Sequence, residues 1–247
     1  MTTLPRIVYE DEALFIVDKP AGMPSTSLRE GEQGTLAAWL AERNPEQTKI
    51  GKDPREAGLV NRLDNETSGI VVAARTTDAH SGLRRQFKEE GIRKRYLALV
   101  IGEPPDRGMV DAPIAHHPSK AKKMVACETE SLAKELSARP AHTSFEVLER
   151  YSMKDARYAL LSVTIKTGAR HQIRVHLAHI GFPISGDAIY RNPRKRGQDP
   201  LAPARHLLHS AKISIVNPLT NKLMTFESPL PPDFQTALSK LRPEKER

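Results

Sequence analysis

Cysteine is almost missing from this chain: Cys127 stands alone among 247 residues. A single cysteine excludes an intrachain disulfide framework and any zinc site built on paired thiolates, and such a chain suits the reducing cytoplasm. Aromatic residues are scarce, at 5% with one tryptophan, which argues against a surface of many base-stacking platforms. No apolar run approaches the roughly 20 residues that span a bilayer. The stretch Met1 to Arg6 lacks the apolar core of a secretory signal. Acidic residues are in the minority: 38 Lys and Arg face 30 Asp and Glu, for a formal net charge of +8. What remains is 38% hydrophobic and 28% charged, an ordinary globular balance in a chain long enough for one large domain or two intimate lobes.

The excess positive charge clusters. Arg84, Arg85, Lys88, Arg93, Lys94 and Arg95 crowd one stretch, and Arg191, Arg194, Lys195, Arg196 and Arg205 another. Either run alone reads as a solvated face. Two of them on a chain of pI ≈ 9.6 point to a phosphate-binding surface and a nucleic-acid partner.

Short apolar runs alternate with turn signals. Ile7–Glu10 and Leu14–Val17 flank a hairpin turn; Ile70–Ala73, Arg95–Ile101, Phe145–Glu149, Tyr158–Ile165 and His206–Ile215 read as strands, with shorter ones at Met109–Val110 and Met124–Ala126. Helices are fewer. Thr35 caps one with Leu36, Trp39 and Leu40 as its core face. Thr77 or Asp78 caps another with Ala79, Leu83 and Phe87 inward, stopped by Gly91. Phe234, Leu238 and Leu241 suggest a last one, followed by a frayed tail from Arg242. Strands and hairpins dominate, so the class is α+β with a mixed, mostly antiparallel sheet. The segment from Arg191 to Arg205 reads as a mobile basic loop.

Two stretches carry chemistry. In Asn61-Arg62-Leu63-Asp64-Asn65-Glu66-Thr67-Ser68-Gly69, Asp64 sits on a polar loop delivered to the edge of a strand, where catalytic side chains are often placed. Arg62 is close enough to favour its ionised form. On this stretch alone, an aspartate that shapes a turn and pairs with Arg62 is the simpler reading. The second runs from Thr167 to Gly181. Thr167 or Gly168 can start a helix that Gly181 stops, placing Arg170 and Arg174 four apart on one face, and likewise Gln172 and His176. So many polar groups on one short helix fit a cleft that receives an anion. Tyr96, beside Lys94 and Arg95, is either a core tyrosine or a ring facing a ligand. His116 and His117 have no partners at metal-ligand spacing and read as surface residues.

Together these stretches resemble the RluA family of pseudouridine synthases. Arg62-Leu63-Asp64 through Thr67-Ser68-Gly69 is similar to the family signature, Asp18–Met23 to its N-terminal loop, Lys94-Arg95-Tyr96 to its tyrosine motif, and Thr167–His176 to its third motif. Gly186-Asp187 with Tyr190 and Leu207-Leu208-His209 also fit, in the family's order, from about Ile7 to Leu230. The resemblance implies a single catalytic domain over residues 1–247, with a core at about 7–230 and a C-terminal helix and tail at 231–247. It implies a pseudouridine synthase sheet with flanking helices and a central RNA-binding cleft.

It also implies an isomerase converting uridine to pseudouridine in rRNA or tRNA without metal or cofactor. A cytoplasmic location is expected from the cysteine usage, and a monomer because the sequence shows no exposed heptad or large apolar stripe. Asp64 would be the catalytic carboxylate, Arg174 its charge partner, and Tyr96 the ring stacked on the target uracil. Arg62, Thr67, Lys94, Arg95, Arg170, His171, Gln172, Arg194, Lys195 and Arg196 would hold the RNA. The family usually has His where this chain has Asn61, and the 191–205 loop looks longer and more basic than expected. The resemblance begins at about Ile7, so a form without a separate N-terminal RNA-binding module is expected, with specificity coming from the core itself. A non-catalytic RNA-binding protein on the same fold is the alternative. It predicts a lesion at Asp64, Tyr96 or Arg174, all of which are present. A deaminase would need paired cysteines and a metal nuclease clustered carboxylates, and both are lacking.

Overall fold

A computed structural model describes residues 4–29, 31–89, 92–191 and 199–244. The chain divides into two compact units, Met1–Lys94 with His209–Pro231, and Arg95–Leu208 with Pro232–Arg247.

In the first unit, β1 (Arg6–Glu10) and β2 (Leu14–Lys19) form the expected antiparallel hairpin, and β2 pairs antiparallel with β3 (Ser68–Ala74). Every residue of β3 is buried, which explains its unbroken apolar run. β10 (Leu208–Val216) lies parallel to β3, and β11 (Leu223–Glu227) closes this sheet antiparallel to β10. Gly69 is required at the crossing. Its φ is +109°, and a Cβ there would sit 2.2 Å from the Ser210 carbonyl oxygen.

Helix α1 (Leu36–Arg43) starts at Thr35, whose hydroxyl accepts from the Ala38 N–H; Leu36, Ala37 and Leu40 are buried while Trp39 is only half-buried. Helix α2 (Thr77–Lys88) is capped by Thr76, one residue before the expected start, and turns Ala79 and Leu83 into the core. Gly91, the expected stop, lies outside the described residues.

In the second unit, β8 (His142–Met153) and β9 (Ala156–Ile165) make a long antiparallel hairpin, with β4 (Arg93–Ile101) next to β9. β5 (Arg107–Asp111) pairs with β8. β6 (Ile114–His116) and β7 (Met124–Ala126) form a separate hairpin. Helices α3 (Glu130–Glu135), α4 (Gln172–His179) and α5 (Pro232–Ser239) complete the unit.

Two expectations about this unit are corrected. Arg242–Pro243 is a strand, β12, on β8, and the Glu244 N–H donates to the Arg150 carbonyl at 2.9 Å, so the tail is tied rather than frayed as far as Glu244. Arg205, counted with the basic loop, is buried: its Nε donates to Asp233 at 2.6 Å and its Nη1 to the carbonyls of His206 and Leu208. An arginine satisfied in this way anchors α5 and adds nothing to a surface charge. Arg194, Lys195 and Arg196 lie outside the described residues.

Candidate active site

Asp64 opens a tight turn: its carbonyl accepts the Thr67 N–H at 3.0 Å, and β3 begins at Ser68. The residues on either side of Asp64 are clamped. Ser25 Oγ donates to the Leu63 carbonyl at 2.9 Å and accepts the Leu63 N–H at 3.0 Å. The Asn65 carbonyl accepts from the Gly22 N–H at 2.9 Å and from Lys19 Nζ at 3.1 Å. Lys19 is completely buried, and its ammonium also donates to the carbonyls of Pro20 at 2.9 Å and Met23 at 2.8 Å. A buried ammonium is tolerated when its donors are satisfied, and here each bond gathers backbone from around the Asp64 turn. In the sequence Lys19 stands out only as one member of the Asp18–Met23 motif, with no site role of its own, and Ser25 gives no signal at all.

Around this turn, Thr67 is buried and Arg62 is exposed. Among the described residues Arg62 makes no hydrogen bond or ion pair, so the expected Arg62–Asp64 pairing is not formed and the arginine faces solvent. Asn61, at the family's usual histidine position, supports the backbone. Its Oδ1 accepts the Val72 N–H at 2.8 Å and so extends the pairing along β3. Ser68 Oγ contacts Nδ1 of buried His209 at 3.0 Å, and His209 Nε2 lies 3.1 Å from the Ser228 carbonyl. With Nε2 donating to that carbonyl, a neutral ring accepts at Nδ1 from the Ser68 hydroxyl. Lys94 points inward, its Nζ 5.5 Å from the centre of the Phe87 ring. Arg93 and Arg95, on the other face of β4, are exposed. The basic run is therefore split between two faces.

In the second unit, Tyr96 is buried on β4. Helix α4 starts at Gln172 rather than at Thr167 or Gly168, because His171 takes a left-handed backbone (φ 56°) that no helix accommodates. Arg170 therefore precedes the helix, exposed, and shares no helical face with Arg174. Gln172 is fully engaged inside the fold: Oε1 accepts from Thr167 Oγ1 and the Ala169 N–H, and Nε2 donates to the His142 carbonyl and Thr143 Oγ1. That saturates its amide within the fold. One turn on, buried His176 bridges Thr143 Oγ1 and the Ala112 carbonyl. Burial holds its pKa below the usual histidine value.

Arg174 and Asp187 form a buried, two-pronged ion pair, Nε to Oδ2 at 2.7 Å and Nη2 to Oδ1 at 3.1 Å. Oδ1 also accepts the N–H groups of Ile189 and Tyr190. Burial alone would raise the Asp187 pKa, but Arg174 and those amides outweigh it and hold the carboxyl below its usual range. Tyr190 gathers this region. Its ring lies 5.3 Å from the Arg174 guanidinium and 5.6 Å from the Lys123 ammonium, and its hydroxyl is 2.9 Å from both His171 Nδ1 and the Met124 amide nitrogen. The fold thus brings Gln172 and Arg174 together on α4, with His171 as the residue that precedes it. Asp64, Arg62 and Thr67 belong to the other unit.

A sequence profile described as RNA pseudouridylate synthase matches residues 13–179. The chain is 35% identical to a ribosomal large subunit pseudouridine synthase D from Nitrosomonas europaea over 96% of its length, and it spans 65% of that relative. It is 36% identical to the dual-specificity RNA pseudouridine synthase RluA of Escherichia coli, over 90% of this chain and 92% of that one. In structure it is similar to human RNA pseudouridylate synthase domain containing 1, with a TM-score of 0.73 over 98% of this chain and 89% of that chain; at 24% identity this likeness speaks to the fold.

Proposed function

The chain belongs to the RNA pseudouridylate synthase family, and from that premise we propose that it isomerises uridine to pseudouridine within ribosomal or transfer RNA, with Asp64 as the catalytic carboxylate. The observation that carries the reading is the turn at Asp64, held through Leu63 by Ser25 and through Asn65 by Lys19. A residue whose neighbours are fixed on both sides is pre-organised, as a reacting group must be.

In the reaction the bond from C1′ of the ribose to N1 of uracil breaks, the base turns, C5 bonds to C1′, and the proton leaving C5 is balanced by one gained at N1. Asp64 acts at the sugar. Arg174, oriented by Asp187, supplies positive charge to the reaction. Tyr96 stacks on the uracil and assists removal of the C5 proton. The target nucleotide must leave its helix, at a cost of a few kcal/mol, and exposed Arg62 is suited to fill the space it vacates. Arg95, Arg170 and His171 hold the surrounding RNA, and Arg194, Lys195 and Arg196 add charge along the chain. No step calls for a metal or cofactor. Both units work as one catalytic domain, as a monomer in the cytoplasm. No helix among the described residues is long and apolar enough to cross a membrane.

Tritium release from RNA labelled at C5 of uridine tests the reading. Wild-type protein is expected to release tritium from ribosomal or transfer RNA, and Asp64→Asn to lose at least about 10³-fold in rate while still binding RNA. RNA binding without release by wild type would leave only a non-catalytic binder.

A further inference from the structure

The β6–β7 hairpin carries charge of one sign. From Ala112 to Cys127 there is no acidic residue, and Lys120, Lys122 and Lys123 fall in or beside its connecting turn. Lys120 and Lys122 are exposed and Lys123 is half-buried. Among the described residues none of the three makes an ion pair. The carboxylates that bracket the hairpin are engaged elsewhere, Asp111 with His142 and Glu128 with His179.

The turn itself is ordered. The His117 N–H donates to the Lys123 carbonyl at 3.0 Å, and the Lys123 N–H to the Lys120 carbonyl at 2.8 Å. Its base is fixed on two sides. Ile114 exchanges both backbone bonds with Arg139, at 2.9 Å each. On the other strand, Met124 donates its N–H to the Tyr190 hydroxyl, and Met124 and Ala126 pack with Val175 of α4 and Tyr190 in one apolar cluster. Tyr190 also meets His171 and Arg174. The lysines therefore stand on a rigid arm joined through one tyrosine to His171, assigned above to RNA, and to Arg174, assigned to the reaction.

We propose that this hairpin is a backbone-gripping arm for RNA: Lys120, Lys122 and Lys123 engage phosphates of the substrate strand outside the reacting nucleotide. The proposal rests on the RNA reading above and extends it to a surface that the motif residues do not include. Lysine suits such an arm because a point charge on a flexible stem grips phosphates without reading sequence. Lys123 also lies over the Tyr190 ring, but the uncompensated charge of exposed Lys120 and Lys122 on an ordered turn contributes nothing to folding that would explain it.

The test replaces all three with glutamine, which keeps stem length and removes charge, and compares Lys52, Lys222 and Lys240→Gln as an equal loss of exposed charge elsewhere. Filter binding of end-labelled total ribosomal RNA and total transfer RNA is measured against KCl concentration, with tritium release from the same fractions. Wild type is expected to bind with a steep salt slope. The hairpin variant should weaken binding about tenfold or more at low salt and flatten the slope by about two. Its kcat at saturating RNA should stay within about twofold of wild type, and a Lys→Arg triple should bind as wild type does. An unchanged slope, or an equal change in the control triple, overturns the arm even if wild type forms pseudouridine. Loss of slope in the hairpin variant alone, with no tritium release by wild type, sustains the arm as an RNA surface and removes only the isomerase reading.

Discussion

Lys19 shows how a single side chain fixes a functional loop through backbone alone. Its ammonium holds three carbonyls, one of them directly after Asp64, so its loss would leave buried acceptors unpaired and free the turn to move. Lys19→Met is expected to lower stability by roughly 2–4 kcal/mol and to reduce kcat more than RNA affinity, because it leaves the exposed cations in place. Ser25→Ala removes both bonds to Leu63 and should cost about 1–3 kcal/mol, with a smaller drop in kcat. Urea denaturation and single-turnover tritium release measure the two effects separately. Normal kcat in a folded Lys19→Met protein would show that the clamp serves only folding. These residues were hard to read from sequence for a physical reason. A motif shows that Lys19 lies near Pro20 and Gly22, but not that the charge is buried, nor that its partner is a carbonyl 46 positions away. Asn61 was visible as a departure, yet its backbone bond to Val72 appears only once β3 is in place.

At the scale of elements, strands were legible and helix ends were not. Period-two and continuous apolar runs located β1 to β4 and β8 to β10 because burial imposes them directly. The start of α4 was misplaced because Thr167, a fair cap by type, instead bonds Gln172, and His171 breaks the helical backbone. The same short helix carries Arg174, whose pairing with Asp187 fixes the sign of a pH effect. Asp187 has a folded pKa below its ordinary 3.8. The stability it contributes is therefore fully present above about pH 4 and is lost as pH falls through the folded value. Asp187→Asn strands a buried guanidinium and should destabilise the protein by about 3–5 kcal/mol at neutral pH. The gap between wild type and variant should narrow below about pH 4, where the wild-type carboxyl takes up its proton. Equilibrium denaturation at a series of pH values measures this. A gap independent of pH would mean that the pair's charge contributes nothing and that the loss comes from packing.

For the whole molecule, the surplus of 38 basic over 30 acidic residues is a statement about partners rather than fold. The charge is unevenly allotted. Lys19, Lys94, Arg174 and Arg205 are buried, whereas Arg62, Arg84, Arg85, Lys88, Arg93, Arg95, Lys120, Lys122 and Arg170 face solvent. Sequence counting could not separate the two groups, because burial is set by β4 alternation and by partners such as Asp187 and Asp233. The solvent-facing group should make RNA a stabilising ligand whether or not chemistry occurs. At about 100 times its Kd, RNA adds roughly 2.7 kcal/mol, which for a chain of this size raises Tm by roughly 5–10 °C. Counterion release makes that gain steeply salt-dependent, so it should be large in dilute buffer and shrink as KCl is added. Asp64→Asn should show the same rise and the same salt dependence as wild type, because the substitution changes the reacting carboxylate and leaves the basic surface intact. Thermal scans of both proteins with and without bulk transfer or ribosomal RNA, across a KCl series, make the comparison. A Tm rise that salt does not diminish would assign RNA affinity to base contacts and stacking, and would remove the basic surface from the account of binding.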